Sequence, residues 1–443
     1  MSKLEEPTNE ASAMQKEISA IAEQGGGRAT KVEQLIQQYC PNGVEYKPLG
    51  EVCDFRNGFA FKSNLFTDEG CPIIRITNIS ENNVDMSDLK YFHMEDYPKS
   101  DLSQFAIKKG DILVAMSGAT TGKIGTYKGD ITAYLNQRTG KFEPKECLNN
   151  RFLYHFLLTQ VSNMYKMAGG GAQPNLSSND LKSKIVIPVP PLPVQEEIVR
   201  ILDNFAELQA ELQAELQKRL QQYNYYRDKL LSFNELNRGG QSVSVEWKKL
   251  GEIATDWYRG AGIKRDEVSE EGIPCIRYGE IHTTYNIWFD ECVSHTDENT
   301  QPAKKYADYG DILFAITSED IPFIGNSVAY IGKERILVGG DIVVMKHTQN
   351  PKYMSYVLST SDAVMQKGKG KVKSKVVHTS VPSLKEIVVP IPSLEEQERI
   401  ATILDKFYAL TTDITAGLPA EIEARRKQYE YYREQLLTFK QKA

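Results

Sequence analysis

Ile187–Phe205 reads IPVPPLPVQEEIVRILDNF, and Val389–Phe407 reads VPIPSLEEQERIATILDKF. Both stretches run from a proline-rich exit through Gln-Glu into an apolar helical pattern that closes on Ile-Leu-Asp-x-Phe. The likeness continues outward. VEYKPLGEV at Val44–Val52 returns as VEWKKLGEI at Val245–Ile253, 201 residues later, and YNYYRDKLLSF at Tyr223–Phe233 returns as YEYYREQLLTF at Tyr429–Phe439. A period near 200 residues is several times that of a solenoid, so the chain is a tandem duplication of whole domains. Each copy is a variable globular stretch followed by a shared helical one.

Within 44–190 and 245–391, short apolar segments such as IIRI, DILVAM and KIVIPV alternate with Gly, Asn, Asp and Ser turns, the pattern of strand-rich domains. GDILVA at Gly110–Ala115 and GDILFA at Gly310–Ala315 survive as landmarks. The predicted class is α+β. Residues 1–43 form a leader, polar through Gly25–Gly27, and a short helix over Lys31–Tyr39; 44–190 is the first domain; 191–236 a central helical spacer; 237–244 a linker; 245–391 the second domain; 392–443 a distal helix.

Helix starts are marked by Ser393 and Glu396, spaced as a capping box, and in the first copy by Pro193 with Glu196 and Glu197 near the positive end of the helix dipole. Val194, Ile198, Ile201, Phe205, Leu208 and Leu212 follow a 4-3-4-3-4 spacing, a coiled-coil seam. A helix over Val194–Phe233 would reach about 60 Å, too long for one small domain and suited to a spacer. Inside it AELQ occurs three times, at Ala206–Gln209, Ala210–Gln213 and Ala214–Gln217, with leucines spaced by four from Leu208 through Leu212 and Leu216 to Leu220. The second helix lacks these units and is expected to break at Gly417-Leu418-Pro419.

With 443 residues, 41% hydrophobic and 25% charged, the chain can bury two or three ordinary cores. The absence of a long apolar run or a signal-like amino terminus predicts a cytoplasmic protein. Cys40, Cys53, Cys71, Cys147, Cys275 and Cys292 are scattered without a C-x-x-C pair, so neither a disulfide frame nor a metal is expected. The net charge of -6 weighs against a nucleic-acid partner, but Lys367, Lys369, Lys371, Lys373 and Lys375 alternate in sequence. An extended backbone would put all five ammonium groups on one side, as a phosphate contact or a solvated loop tip.

SGATTGK at Ser117–Lys123 has one residue too few between its glycines for a phosphate loop, and Ile124 stands where Ser or Thr is required. Val189–Leu192 reads VPPL, which lacks both the polar residue and the aromatic that an amino-methyltransferase uses on a flipped base. No triad, carboxylate pair or metal spacing emerges, so the chain is expected to be noncatalytic alone.

The order of domain, P-x-P, Q-E-x-I, long helix and Y-x-Y-Y-R occurring twice, with GDILVAMSGATTGK and YLNQ in the first domain, resembles the specificity subunits of type I restriction-modification systems, most closely the IC subtype. That resemblance implies two target recognition domains, each reading half of an asymmetric bipartite DNA site. It implies two helices pairing as an antiparallel coiled coil with pseudo-twofold symmetry, a ruler that docks two methyltransferase subunits, with restriction/translocase subunits as further partners. It also implies S-adenosylmethionine on the methyltransferase partner, ATP and Mg on the restriction partner, and no cofactor in this chain. A coiled-coil scaffold with two protein-binding domains is the alternative.

Base readout needs Arg or Lys for guanine and Asn or Gln for adenine. The first domain offers Arg56, Asn57, Lys62, Arg75, Asn78, Asn136, Gln137 and Arg138, with Ser117, Thr120, Thr121 and Lys123 in the glycine-rich turn. The second offers Arg259, Lys264, Arg265, Arg277, Tyr278, Thr317 and Ser318, beside the lysine run. Surface ion pairs and turn capping compete for each of these. Spacer length is assigned to Ala206, Leu208, Ala210, Leu212, Ala214 and Leu216, and partner docking to Tyr223, Tyr226, Leu230, Tyr429, Tyr432 and Leu436, whose helical spacing favours packing over base stacking.

Overall fold

The computed structural model describes residues 31–80, 82–169, 174–233, 244–297, 299, 303–369, 376–412 and 417–442. They form two compact units: unit 1 runs to Ala210 and resumes at Glu423, and unit 2 spans Glu211–Ile422.

The landmark strands explain why their sequence is apolar without alternation. Ile112–Ala115 and Ile312–Ala315 are buried along their whole length. Ile112 and Val114 face one core cluster while Leu113 and Ala115 face another, and Ile312/Phe314 against Leu313/Ala315 repeat the arrangement. A strand packed on both faces reads as a continuous hydrophobic run. In unit 1 it sits in an antiparallel sheet ordered Cys53–Asn57, Thr139–Pro144, Ile112–Ala115, Ile124–Thr126. Beside it lies a mixed sheet ordered Lys90–Phe92, Cys71–Ile74, Ala133–Leu135, Ala106–Ile107. Unit 2 keeps both orders and adds one edge strand to each, Trp288–Phe289 and Val268–Ser269.

The glutamine of the duplicated motif ties helix to domain. Gln195 is fully buried; its Oε1 accepts from Asn149 N at 2.8 Å, and its Nε2 donates to Cys147 O and Pro190 O at 2.9 and 2.7 Å. Gln397 repeats this with Asn350 N, Gln349 Oε1 and Pro392 O. Asn149 and Asn350 in turn cap the buried helices Asn150–Thr159 and Pro351–Leu358. One side chain thus holds the proline exit and the start of a core helix together, which is why Gln recurs in both copies.

The central helix spans Leu192–Leu231, two residues earlier at each end than predicted. Its buried seam is Val194, Ile198, Leu202 and Phe205. Leu202, rather than the expected Ile201, fills the third place, because the 4-4-3 spacing of this seam averages about 3.67 residues per turn, nearer the 3.6 of a straight helix than the heptad's 3.5. Glu197 is buried and paired with Lys31 and Arg200, at 2.8 and 3.0 Å. The distal helix comes in two pieces, Leu394–Thr412 and Gly417–Leu436, so Gly417 and Pro419 open the second piece. Of the expected capping box only one half forms: Ser393 Oγ accepts from Glu396 N at 3.3 Å, while the Glu396 carboxylate forks onto Arg399. In unit 1 Phe205 stacks on Tyr432 with ring centroids 5.4 Å apart, and in unit 2 Tyr223 meets Tyr408 at 6.1 Å. Early-with-late and late-with-early contacts make the pairing antiparallel.

Candidate functional site

Backbone hydrogen bonds draw four segments of unit 1 to one edge of its sheets. Gly58 N and Phe59 N donate to Thr139 O and Leu135 O, Asn136 N to Ile74 O, and Met116 N to Arg138 O. Position 58 has to be glycine, since a Cβ there would stand 2.0 Å from Asn136 O. Arg138 takes a φ of 69° to close the tip. Asn57, Gln137 and Arg138 are exposed on this edge, and Asn136, half-buried, turns its Oδ1 to Gln137 N at 2.9 Å. Lys62 is exposed at the next turn, Lys123 is half-buried, and Arg56 is paired with Glu143 at 3.1 Å.

Three parts of the expectation are corrected here. Asn78 is 2% exposed; its Oδ1 accepts from Arg75 N and its Nδ2 donates to Asp85 O and Asp88 O, so it is an internal strut that presents no face to a base. Thr120 Oγ1 donates to Ile76 O, and Thr121 Oγ1 to Gly118 O and Pro174 O. Ser117 is buried as well, its Oγ enclosed without a partner, so the glycine-rich turn keeps all three hydroxyls away from the surface. Arg75 is half-buried, its Nη2 3.4 Å from Asp88 and its Nε enclosed without a partner.

The same bonds recur in unit 2: Gly260 N to Ile342 O, Ala261 N to Val338 O, Gly339 N to Ile276 O, and Ile316 N to Asp341 O. They align Asn57 with Arg259, Arg75 with Arg277, and Asn136-Gln137-Arg138 with Gly339-Gly340-Asp341. Arg259 donates to Gly340 O and, through Nη2, to Asp341 Oδ1 at 2.5 Å. Arg277 Nε and Nη2 reach Glu280 Oε1 at 3.3 and 3.1 Å; Glu280 is buried and also accepts from Arg277 N and Ser294 Oγ. With Arg265 and Tyr278 these arginines line a cleft of about 610 Å³. A second cleft of about 460 Å³, sharing Tyr278, is lined by Thr317, Ser318, His282, Phe323 and Val376. Lys264 is exposed beside Glu267, Thr317 Oγ1 pairs with His378 Nδ1 at 3.2 Å, and buried Ser318 accepts from Asp320 N.

The lysine run is corrected at its start. Lys367 lies in the helix Ser361–Gly368 and is buried, its Nζ donating to Leu358 O at 2.8 Å and Ser327 Oγ at 3.2 Å. Burial pushes its pKa down to about 7. Lys369 is exposed, and Lys371, Lys373 and Lys375 fall outside the described residues.

The helical candidates also divide. Tyr223 and Tyr429 are buried inside their own units and present no docking face. Tyr429 Oη meets His155 Nδ1 at 3.0 Å, and His155 Nε2 meets Asp203 Oδ1 at 2.7 Å. Burial raises the Asp203 pKa, but hydrogen bonds from His155 and Arg151 outweigh it and hold the carboxyl at about 2. Tyr226 is exposed, Tyr432, Leu230 and Leu436 are half-buried, and Tyr225 and Tyr431, passed over in sequence, are the most exposed rings of their clusters. Of the spacer positions, Leu208, Leu212, Leu216 and Ala206 are half-buried and Ala210 and Ala214 exposed. Sequence reasoning also missed Asp341 and Glu280, which aligning the two copies at Asn136–Arg138 and Asn78 would have flagged. Among the described residues no helix is long and apolar enough to cross a membrane, and no three His, Cys, Asp or Glu are grouped to hold a metal.

The family model described as "Type I restriction modification DNA specificity domain" matches residues 41–222 and again 243–424. A protein of Haemophilus influenzae assigned as a type I restriction enzyme specificity subunit is 31% identical over 427 residues, covering 93% of this chain and 98% of its own. The EcoR124I/EcoR124II specificity subunit of Escherichia coli is 36% identical over 309 residues, 65% of this chain and 70% of that one. A solved chain from a type I restriction-modification system aligns with a TM-score of 0.53 at 17% identity, over 90% of this chain and 98% of that one, a likeness of fold.

Proposed function

Because the chain belongs to the type I restriction-modification DNA specificity family, we propose that it reads a split, asymmetric DNA sequence, one half with each unit. The observation that carries this reading is the pair of matched edges. One backbone lattice presents Asn57, Gln137 and Arg138 in unit 1 but Arg259, Arg277 and Tyr278 in unit 2. Amides suit adenine and guanidinium groups suit guanine, and unit 1 mixes two amides with one arginine where unit 2 presents two arginines, so like frames carry unlike readers. Lys62, Lys123, Lys264 and Lys369 flank these edges as phosphate contacts that fix register without reading sequence.

In this reading methyl transfer, with its S-adenosylmethionine, resides on two methyltransferase subunits, and ATP and Mg serve the restriction/translocase subunits. The exposed faces around Tyr225/Tyr226 and Tyr431/Tyr432 are the docking surfaces. The AELQ segment of the central helix sets the distance between half-sites. Deleting Ala210–Gln213 removes about 6 Å of helix, under two base-pair steps before tilt and supercoiling reduce it. Mapping of methylated sites in cells carrying the deletion should show both half-sites intact and the spacer shorter by about one base pair. An unchanged spacer would sink the ruler, and modification without sequence preference would sink the reading.

A further inference from the structure

The two arginines of the unit 2 cleft are held in a way that selects among bases. Each guanidinium has five N–H donors in a fixed plane. In Arg277 the Nε–Nη2 edge is engaged by the buried Glu280 carboxylate, and in Arg259 by Gly340 O and Asp341. That leaves each Nη1–Nη2 edge unspent, on side chains 32% and 59% exposed that line one cleft. Two parallel donors on a rigid fork match two adjacent acceptors, and among base edges in the major groove that pattern is guanine O6 and N7. Adenine presents a donor at N6, which an arginine cannot accept.

The surrounding charges argue against a phosphate at this spot. Glu280 and Asp341 stand against the forks and offset their charge, which weakens attraction for a phosphate while leaving the hydrogen-bond pattern for a neutral base edge. Fixing both side chains before contact also removes most of the ordering cost of binding. Arg265, exposed on the same cleft, has no carboxylate partner among the described residues and is the arginine placed for a phosphate. Unit 1 does not assemble this device: Asn57 stands at the place of Arg259, and Arg75 lacks a partner on Nε.

We propose that unit 2 reads guanine through Arg259 and Arg277, each locked by its neighbouring acceptor, so that the half-site read by unit 2 contains a G·C pair contacted by this cleft. The inference rests on the reading of the chain as a DNA specificity subunit and adds the base.

The test is selection from a randomised duplex DNA library by the chain co-expressed with its modification partner, using the wild type and the variants Arg259→Lys and Arg277→Lys. Lysine keeps the charge and loses the fork, so folding and phosphate contact survive. The expected result is a guanine preference in one half-site that falls about tenfold or more in each variant, with the other half-site unchanged and Lys333→Ala, on an exposed turn away from this cleft, behaving as wild type. A wild-type half-site pair in which guanine loses nothing in either variant overturns this assignment alone. A library from which the wild type enriches no sequence overturns the specificity reading of both units and this assignment with it.

Discussion

Units 1 and 2 share their backbone bonds almost residue for residue, yet differ in the side chains those bonds present. Gly58 and Gly260 both lie where a Cβ would collide with a facing carbonyl, at 2.0 and 2.2 Å. The tip that closes over them is Asn-Gln-Arg in one unit and Gly-Gly-Asp in the other. A lattice built from main-chain donors and acceptors does not depend on which side chains stand at its edge, so that surface can change without moving the frame. Inside the units, the struts that recur are the ones whose side chains satisfy buried main-chain groups.

The sharpest way to break this comparison is at the shared glutamine. Gln195→Ala and Gln397→Ala each orphan buried main-chain groups, and each should cost about 3 kcal/mol. Hydrogen exchange of the helices Asn150–Thr159 and Pro351–Leu358 reads the two effects separately; markedly unequal losses would mean that the struts are not equivalent.

Lys367 is the next difference. Aligning the capping residues Gln160 and Thr360 places Met167 of unit 1 at its position. Since the folded state lowers the lysine pKa to about 7 by burial, folding at neutral pH carries a penalty that is relieved as pH rises toward the ordinary lysine value. Lys367→Met should therefore stabilise unit 2 by about 2 kcal/mol at pH 6, and by progressively less toward pH 10, in denaturant unfolding followed by exchange in unit 2.

A smaller effect separates His155 from its counterpart Tyr356, which donates to Asp405 at 2.6 Å. Burial lowers the His155 pKa, so its contribution is complete above about pH 6.5 and is lost as pH falls and the unfolded chain takes up the proton. His155→Tyr gives unit 1 the arrangement of unit 2 and should reduce its loss of stability between pH 7.5 and 5.5 by about 1 kcal/mol, measured by exchange in unit 1. The smallest change in stability is expected at Tyr225, 60% exposed. Tyr225→Ser should stay within about 0.5 kcal/mol of wild type while lowering recovery of the methyltransferase partner in co-purification.

Much of this architecture was legible in the chain. The landmark strands, the long helix and the duplicated order all rest on local pattern, and local pattern survives into structure. What escaped depends on residues far apart. Asn78 and Thr121 looked like surface polar groups because their acceptors, at Asp88 and Pro174, are not adjacent in sequence. Lys367 reads in sequence as part of a phosphate contact or a solvated loop tip, because the cradle that buries it comes from Leu358, Ser327 and Phe314. Arg259 and Arg277 were found by residue type, but the acceptors that fix them became visible only with the fold.

The return of residues 423–442 to unit 1 has a consequence for synthesis. Gln441 bridges to Val44, and Tyr46 Oη donates to Phe439 O across 393 positions. At on the order of 5–20 residues per second on the ribosome, these partners emerge tens of seconds after the rest of unit 1. The nascent first unit must wait with its seam around Phe205 uncovered, while unit 2, continuous in the chain, closes without delay. The half made first is finished last, so premature termination just beyond Ile422 should injure the amino-terminal unit before the carboxy-terminal one.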